Sequence, residues 1–199
     1  MKRITILLII GLVWALNLEA KKVEGKIFYE NDTADIVLSL PSNMYASAQT
    51  RQRLQNRMAY FDSSGKKRPL IPNDSIKEIR FNYGSKELRI ICVPNSIERI
   101  FTTKYIFLQL EIDGKLRVFK YFFVTHNSSR MELGMDNYSL FGDHIFQKSD
   151  GELKRFRNTN KEIGEYLSDC PELVEKIESN FFKKGDVLSI VEYYNSNCK

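Results

Sequence analysis

The sequence predicts an α+β domain: a mostly antiparallel β body, built as a sandwich or open barrel, followed by a short C-terminal helical tail. Three observations predict it. Short β-rich runs separated by turn residues recur from residue 23 to residue 156. The apolar period changes to a helical one after Arg157. Two cysteines, Cys170 and Cys198, flank that helical segment.

The chain opens "MKRITILLIIGLVWALNLEAKK". Lys2 and Arg3 precede an apolar run from Ile4 to Leu16, and Ala20 offers a small residue for cleavage, which is the layout of a secretory signal peptide. The run is shorter than the ~20 apolar residues a membrane-spanning helix needs. No cysteine lies near the cleavage point for lipidation, and no later stretch is long enough to span, so no transmembrane segment is expected after cleavage. The expected organisation is residues 1–20 as signal peptide, 21–157 as β-rich body and 158–199 as a tail packed on it in one domain. Cleavage lowers the formal charge from +5 to +4 and leaves 179 residues, enough to bury a core without a metal.

The body reads as successive hairpins. "VEGKIFYE" and "ADIVLSL" flank the turn "NDT"; "NRMAYFD" runs into the polar turn "SSGKK". "SIKEIRFNY" alternates at Ile79, Phe81 and Tyr83, turns at Gly84-Ser85 and continues as "ELRIICV" to Pro94. In "YIFLQLEIDGKLRVFKYFFV", Asp113-Gly114 makes the turn. Ile106, Leu108, Leu110 and Ile112 share one face of its first strand. Leu116, Val118, Phe122 and Val124 share a face of the second, with Lys120 interrupting it. "NYSLFGDHIFQ" and "GELKRF" make a last pair, and "YASAQTRQRLQ", residues 45–55, reads as a helix or as a loop leading into a strand. In the tail, "TNKEIGEYLSDC" and "PELVEKIES" read as short helices, Pro171 being tolerated in a first turn. Val187, Ile190, Val191 and Tyr194 then recur as one apolar helix face.

Export places the cysteines in a disulfide-permissive compartment. Cys92 alternates with Leu88 and Ile90 and reads as a small buried apolar residue. Cys170 and Cys198 are expected to bridge, closing a loop of about 29 residues and contributing roughly 3 kcal/mol. No CxxC pattern accompanies them, so no metal site is expected.

"PLIPNDSIKEIRFNYGSKELRI", "IFLQLEIDGKLRVFKYFF" and "YLSDCPELVEKI" through "YYNSNC", in this order, resemble a group of small exported proteins of Bacteroidetes with a signal peptide, a β-rich body and an ending of the DCP…YN..C kind. The resemblance covers most of the mature chain and implies a periplasmic or outer-surface location; it brings no catalytic residues.

Chemical motifs are sparse. No GxSxG elbow, HExxH motif, P-loop or dinucleotide-binding glycine pattern occurs, and no cofactor is expected. Of the two histidines, His126 ends a strand and His144 follows Asp143; neighbours in a strand point to opposite faces, so Asp143 and His144 are weak catalytic candidates. Between residues 51 and 68 stand Arg51, Arg53, Arg57, Lys66, Lys67 and Arg68 against Asp62 alone. They are candidates for contact with an envelope protein, a polysaccharide or an anionic lipid surface, or simply a solvated surface. Nucleic acid is not an expected partner at so mild a charge. The aromatics of "KYFF", with Tyr29, Tyr60, Phe81 and Tyr83, suit a core or a groove for sugar or lipid. The leading expectation is a non-enzymatic envelope protein that binds a ligand or partner. The alternatives are a small hydrolase of envelope polymers and an accessory subunit docking on an outer-membrane complex.

Overall fold

A computed structural model describes residues 20–42, 44, 48–97, 103–126, 138–149, 151–156, 159–183 and 186–198. The expected signal peptide lies outside the described residues, apart from Ala20. Ten strands form one open sheet: β1 (Lys21–Tyr29), β2 (Thr33–Leu40), β3 (Met58–Phe61), β4 (Lys67–Leu70), β5 (Ile76–Tyr83), β6 (Lys86–Pro94), β7 (Tyr105–Ile112), β8 (Leu116–His126), β9 (Tyr138–Lys148) and β10 (Lys154–Arg155). The spatial order is β10-β9-β8-β7-β6-β5-β1-β2-β3-β4, with every pairing antiparallel. Each predicted hairpin forms, although "GELKRF" contributes a strand of only two residues. The ambiguous segment after β2 is helix α1 (Ala48–Asn56).

Residues 71–75 carry the chain from β4 back to β5. In a flat sheet the four intervening spacings would measure ~19 Å, nearly all of the ~20–22 Å that the six Cα–Cα steps from Leu70 to Ile76 reach when fully extended. Asn73 shortens the link, because its Oδ1 accepts from the N–H groups of Ser75 (3.0 Å) and Ile76 (3.3 Å). The sheet therefore curls at this end. Its helix-bearing face encloses Ile27, Leu38, Met58, Leu70, Ile79 and Phe81 in one buried cluster. At the outer edge, β4 carries Lys67, Arg68 and Pro69, residue types that block further strand addition.

Helices α2 (Thr159–Tyr166), α3 (Pro171–Glu178) and α4 (Val187–Asn197) form the tail. Pro171 opens α3. Asn180, at φ 57°, ends it: its N–H donates to Ile177 O, and Phe181 N–H donates to Lys176 O, a Schellman closure that asparagine tolerates. The predicted face of α4 (Val187, Ile190, Val191, Tyr194) is fully buried, with Leu173, Ile177, Leu116, Val118 and Phe146 in the same cluster.

The motif residues of the tail each have a structural partner. Cys170 and Cys198 are disulfide-bonded. Tyr194 donates from its hydroxyl to Asp169 Oδ2 at 2.5 Å, and Lys148 Nζ reaches Asp169 Oδ1 at 2.6 Å. Asn195 pairs with the backbone of Leu116, donating to its carbonyl (2.9 Å) and accepting from its N–H (2.8 Å). A Cβ on Gly114 would stand 2.6 Å from Asn195 Nδ2, so the β7–β8 turn needs a residue without one. DCP and YN..C are thus the two halves of a clasp that ties the tail to itself and to the start of β8.

One strand face departs from the expected alternation. Leu110 pairs with Phe119, but Ile112 pairs with Val118, so Glu111 is an extra residue in β7. This bulge turns Ile112 over. Ile106, Leu108 and Leu110 pack on the far face with Phe119, Tyr121 and Ile145, whereas Ile112 packs against the tail cluster.

Candidate functional site

The helix-bearing face changes character across the sheet. One cross-strand row reads Ile27, Ile79, Ile90, Gln109, Lys120 and His144, from β1 through β5, β6, β7 and β8 to β9. The apolar half lies under the curl. The polar half meets the bulge, where Glu111 lies on the same face two residues after Gln109. Lys120 Nζ lies 3.2 Å from Glu111 Oε1, and His144 Nε2 lies 3.1 Å from Oε2. Lys120, which interrupts the apolar alternation of β8, therefore marks a built cluster.

Helix α1 sits beside this cluster because β7 and β8 part company. Their recorded pairing runs from Ile112–Val118 to Gln109–Lys120. At the next such position on β8, Gln55 of α1 takes the place of a strand: its Nε2 donates to Phe122 O (2.9 Å), and Phe122 N–H donates to its Oε1 (2.6 Å). One turn earlier, the Arg51 guanidinium lies 4.6 Å from the centre of the Phe122 ring. The approach to α1 is held by Tyr83, whose hydroxyl accepts from Met44 N–H (2.9 Å) and donates to Ser42 O (2.8 Å).

Between α1 and the sheet is a pocket of about 420 Å³ counting its open mouth, of which about 40 Å³ admits water. Met58, Phe81, Ile90, Phe107 and Phe122 form its floor, and Met44 and Leu54 line its roof. Arg51, Gln55, Gln109 and Lys120 are its polar lining.

The six basic residues do not act as one patch. Arg51 and Gln55, four apart, face the pocket, while Arg53 and Arg57 are exposed. Lys66 occupies the turn before β4, Lys67 and Arg68 lie on that edge strand, and Arg68 Nε pairs with Asp62 Oδ2 at 2.8 Å. Asp143 and His144 occupy opposite faces of β9. Asp143 Oδ2 lies 2.6 Å from Arg155 Nε, and the carboxylate beside His144 is that of Glu111. His126 ends β8, and its side chain, like that of Val124, lies outside the described residues. Among the described residues no three His, Cys, Asp or Glu side chains gather as a metal site. No helix among them is long and apolar enough to cross a membrane. Cys92 is half-buried rather than buried; its thiol donates to Asn73 O at 3.3 Å, and burial pushes its pKa up to about 11.

Sequence reasoning missed Glu111, Gln55 and Asn195. The signal for Glu111 was the presence of polar residues at matching positions in three consecutive strands. For Asn195 it was the place of that residue in the YN..C ending; for Gln55 there was none, because a side chain that replaces a strand leaves no periodic trace.

No protein-family model, curated protein or solved structure matches the chain.

The charges set the response to pH. The His144 imidazole and, against the opposing pull of burial, the Lys120 ammonium hold Glu111 below the usual carboxylate range. Burial raises Asp169, but Lys148 and Tyr194 more than offset it, so its pKa too is lowered. Burial and the Asp169 carboxylate raise the Tyr194 hydroxyl. A lowered carboxylate pKa stabilises the fold above the unfolded value of about 4, and that contribution is lost as pH falls through the folded value. A raised tyrosine pKa stabilises below about 10, and its contribution is lost as pH rises further. Urea midpoints should form a plateau from about pH 5 to pH 9 and fall on both sides. A midpoint unchanged down to pH 3 would contradict the ion-pair assignments.

Proposed function

We propose that the chain is an exported, non-enzymatic binding module whose ligand occupies the pocket beneath α1. The carrying observation is that pocket: an apolar floor and roof with two cationic side chains and two carboxamides at its wall. Two further features support the reading. Strand β1 begins at Lys21, so removal of residues 1–20 takes no residue from the sheet. The tail depends on a disulfide, a bond suited to a compartment outside the reducing cytosol.

Native mass spectrometry of the protein purified from its host's envelope without reductant tests this. The expected spectrum carries a small-molecule adduct that Leu54→Trp, which fills the pocket roof, abolishes without changing the circular dichroism. A bare protein, or an adduct indifferent to Leu54→Trp, overturns the assignment. A bound subunit instead would favour the accessory-subunit reading, for which the exposed Arg53 and Arg57 are the available contacts.

The hydrolase reading keeps one observation, the His144–Glu111 pair, which has the form of a general base with an orienting carboxylate. Turnover of an envelope polymer that is lost in His144→Ala would favour it.

A further inference from the structure

We propose that the pocket beneath α1 takes a medium-chain carboxylate, with its alkyl chain on the Phe81–Phe107 floor and its anionic head at Lys120. The inference rests on the binding-module reading and specifies its ligand.

Three observations carry it. Along the cross-strand row Ile90, Gln109, Lys120 the lining passes from aliphatic to cationic. A ligand laid along that row must itself be apolar at one end and polar at the other. At the polar end the charged side chains that line the pocket among the described residues are both cationic, Arg51 and Lys120. Glu111, the counter-charge of Lys120, stands behind it at the bulge and is shared with His144. Only about 40 Å³ of the pocket admits water, so a chain of intermediate length rests partly in the open mouth and displaces water there. Met44 and Met58 supply unbranched, adaptable walls for such a chain.

Lys120 is the discriminating residue. In the unliganded protein Glu111 neutralises it, so an incoming carboxylate competes with Glu111 for the ammonium. Removing the competitor should help binding, and removing the cation should harm it. A neutral amphiphile of the same length should notice neither change.

The experiment is isothermal titration of the mature, disulfide-bonded protein with octanoate and, separately, with octan-1-ol. Octanoate should bind more tightly than octan-1-ol. Lys120→Met should weaken octanoate about tenfold, the size of a lost hydrogen bond to a charged group, and leave octan-1-ol unchanged. Glu111→Gln should tighten octanoate. Equal affinity for the two probes, or octanoate binding indifferent to both variants, overturns the carboxylate assignment while leaving the pocket as a binding site. Binding of neither probe by wild type overturns the ligand class; the adduct seen, or not seen, from the native host then decides the binding-module reading independently. Matching circular dichroism of the variants excludes unfolding as the cause.

Discussion

Removing the Cys170–Cys198 bond should lower the melting temperature of the mature protein by roughly 10 °C, with the sheet still folded. The bond joins residues 28 apart and encloses α3 and α4. Closing a loop of that length contributes about 3 kcal/mol by constraining the unfolded chain, and 1 kcal/mol moves the midpoint of a domain this size by ~2–4 °C. Both sulfurs are buried in the tail cluster. The variant to use is therefore Cys170→Ala with Cys198→Ala, which avoids burying unpartnered hydroxyls. The last turn of α4 would keep Asn195 on Leu116 and Lys115 Nζ on the Cys198 carbonyl (2.7 Å), so local fraying should not become full undocking. Differential scanning calorimetry with and without dithiothreitol checks this. Reductant should shift the wild type by about the same amount and leave the double variant unmoved. A wild type indifferent to reductant would show that the clasp is held by its packing and hydrogen bonds alone.

The clasp also shows what the sequence can and cannot disclose. Its covalent half was legible because a cysteine pair around an apolar helix pattern has few other readings in an exported chain. The α4 face was legible for the same reason: a 3.6-residue period survives in any fold that buries one side of a helix. Strand positions were legible from period-two alternation and turn residues such as Asp113-Gly114. Strand order was not, because β1 pairs with both β2 and β5, and nothing local to β4 announces that the chain must return to the middle of the sheet. Ile112 was placed on the wrong face because a bulge adds one residue without changing composition. The candidate site was the least legible part. Its polar cluster joins Glu111, Lys120 and His144 from three strands, and its pocket depends on α1 entering the gap between β7 and β8. Of the basic residues that drew notice, only Arg51 lines the pocket. The other five lie outside it, where solvation and edge protection account for them.

The deepest consequence of that arrangement concerns Gln55. Side-chain carboxamides pair with the backbone of β8 at two places, Asn195 at Leu116 and Gln55 at Phe122, on either side of the short stretch where β7 supplies that pairing. Asn195 works near the surface turn, where water can substitute. Gln55 works in the interior: its side chain is 4 % exposed, and both of its bonds are buried. Gln55→Leu keeps roughly the volume and the helix propensity but leaves the Phe122 N–H and C=O without partners. Each unsatisfied buried group costs about 1–3 kcal/mol, so with two such groups the variant should lose about 2–6 kcal/mol, more than the expected loss for Asn195→Leu. Gln55→Glu should lie between them at low pH, where the protonated acid can still donate one bond and accept another, and should approach Gln55→Leu near neutrality, where a carboxylate accepts from Phe122 N–H but repels its carbonyl. Urea unfolding of the three variants at pH 4 and pH 7 measures these differences. Hydrogen exchange locates them: the Phe122 amide should lose its protection in Gln55→Leu while the amides paired between β8 and β9 keep theirs. If Phe122 stayed protected, β7 would have closed onto β8 and expelled α1. The pocket would then vanish with the gap, and octanoate binding would be lost in a protein that remained fully folded.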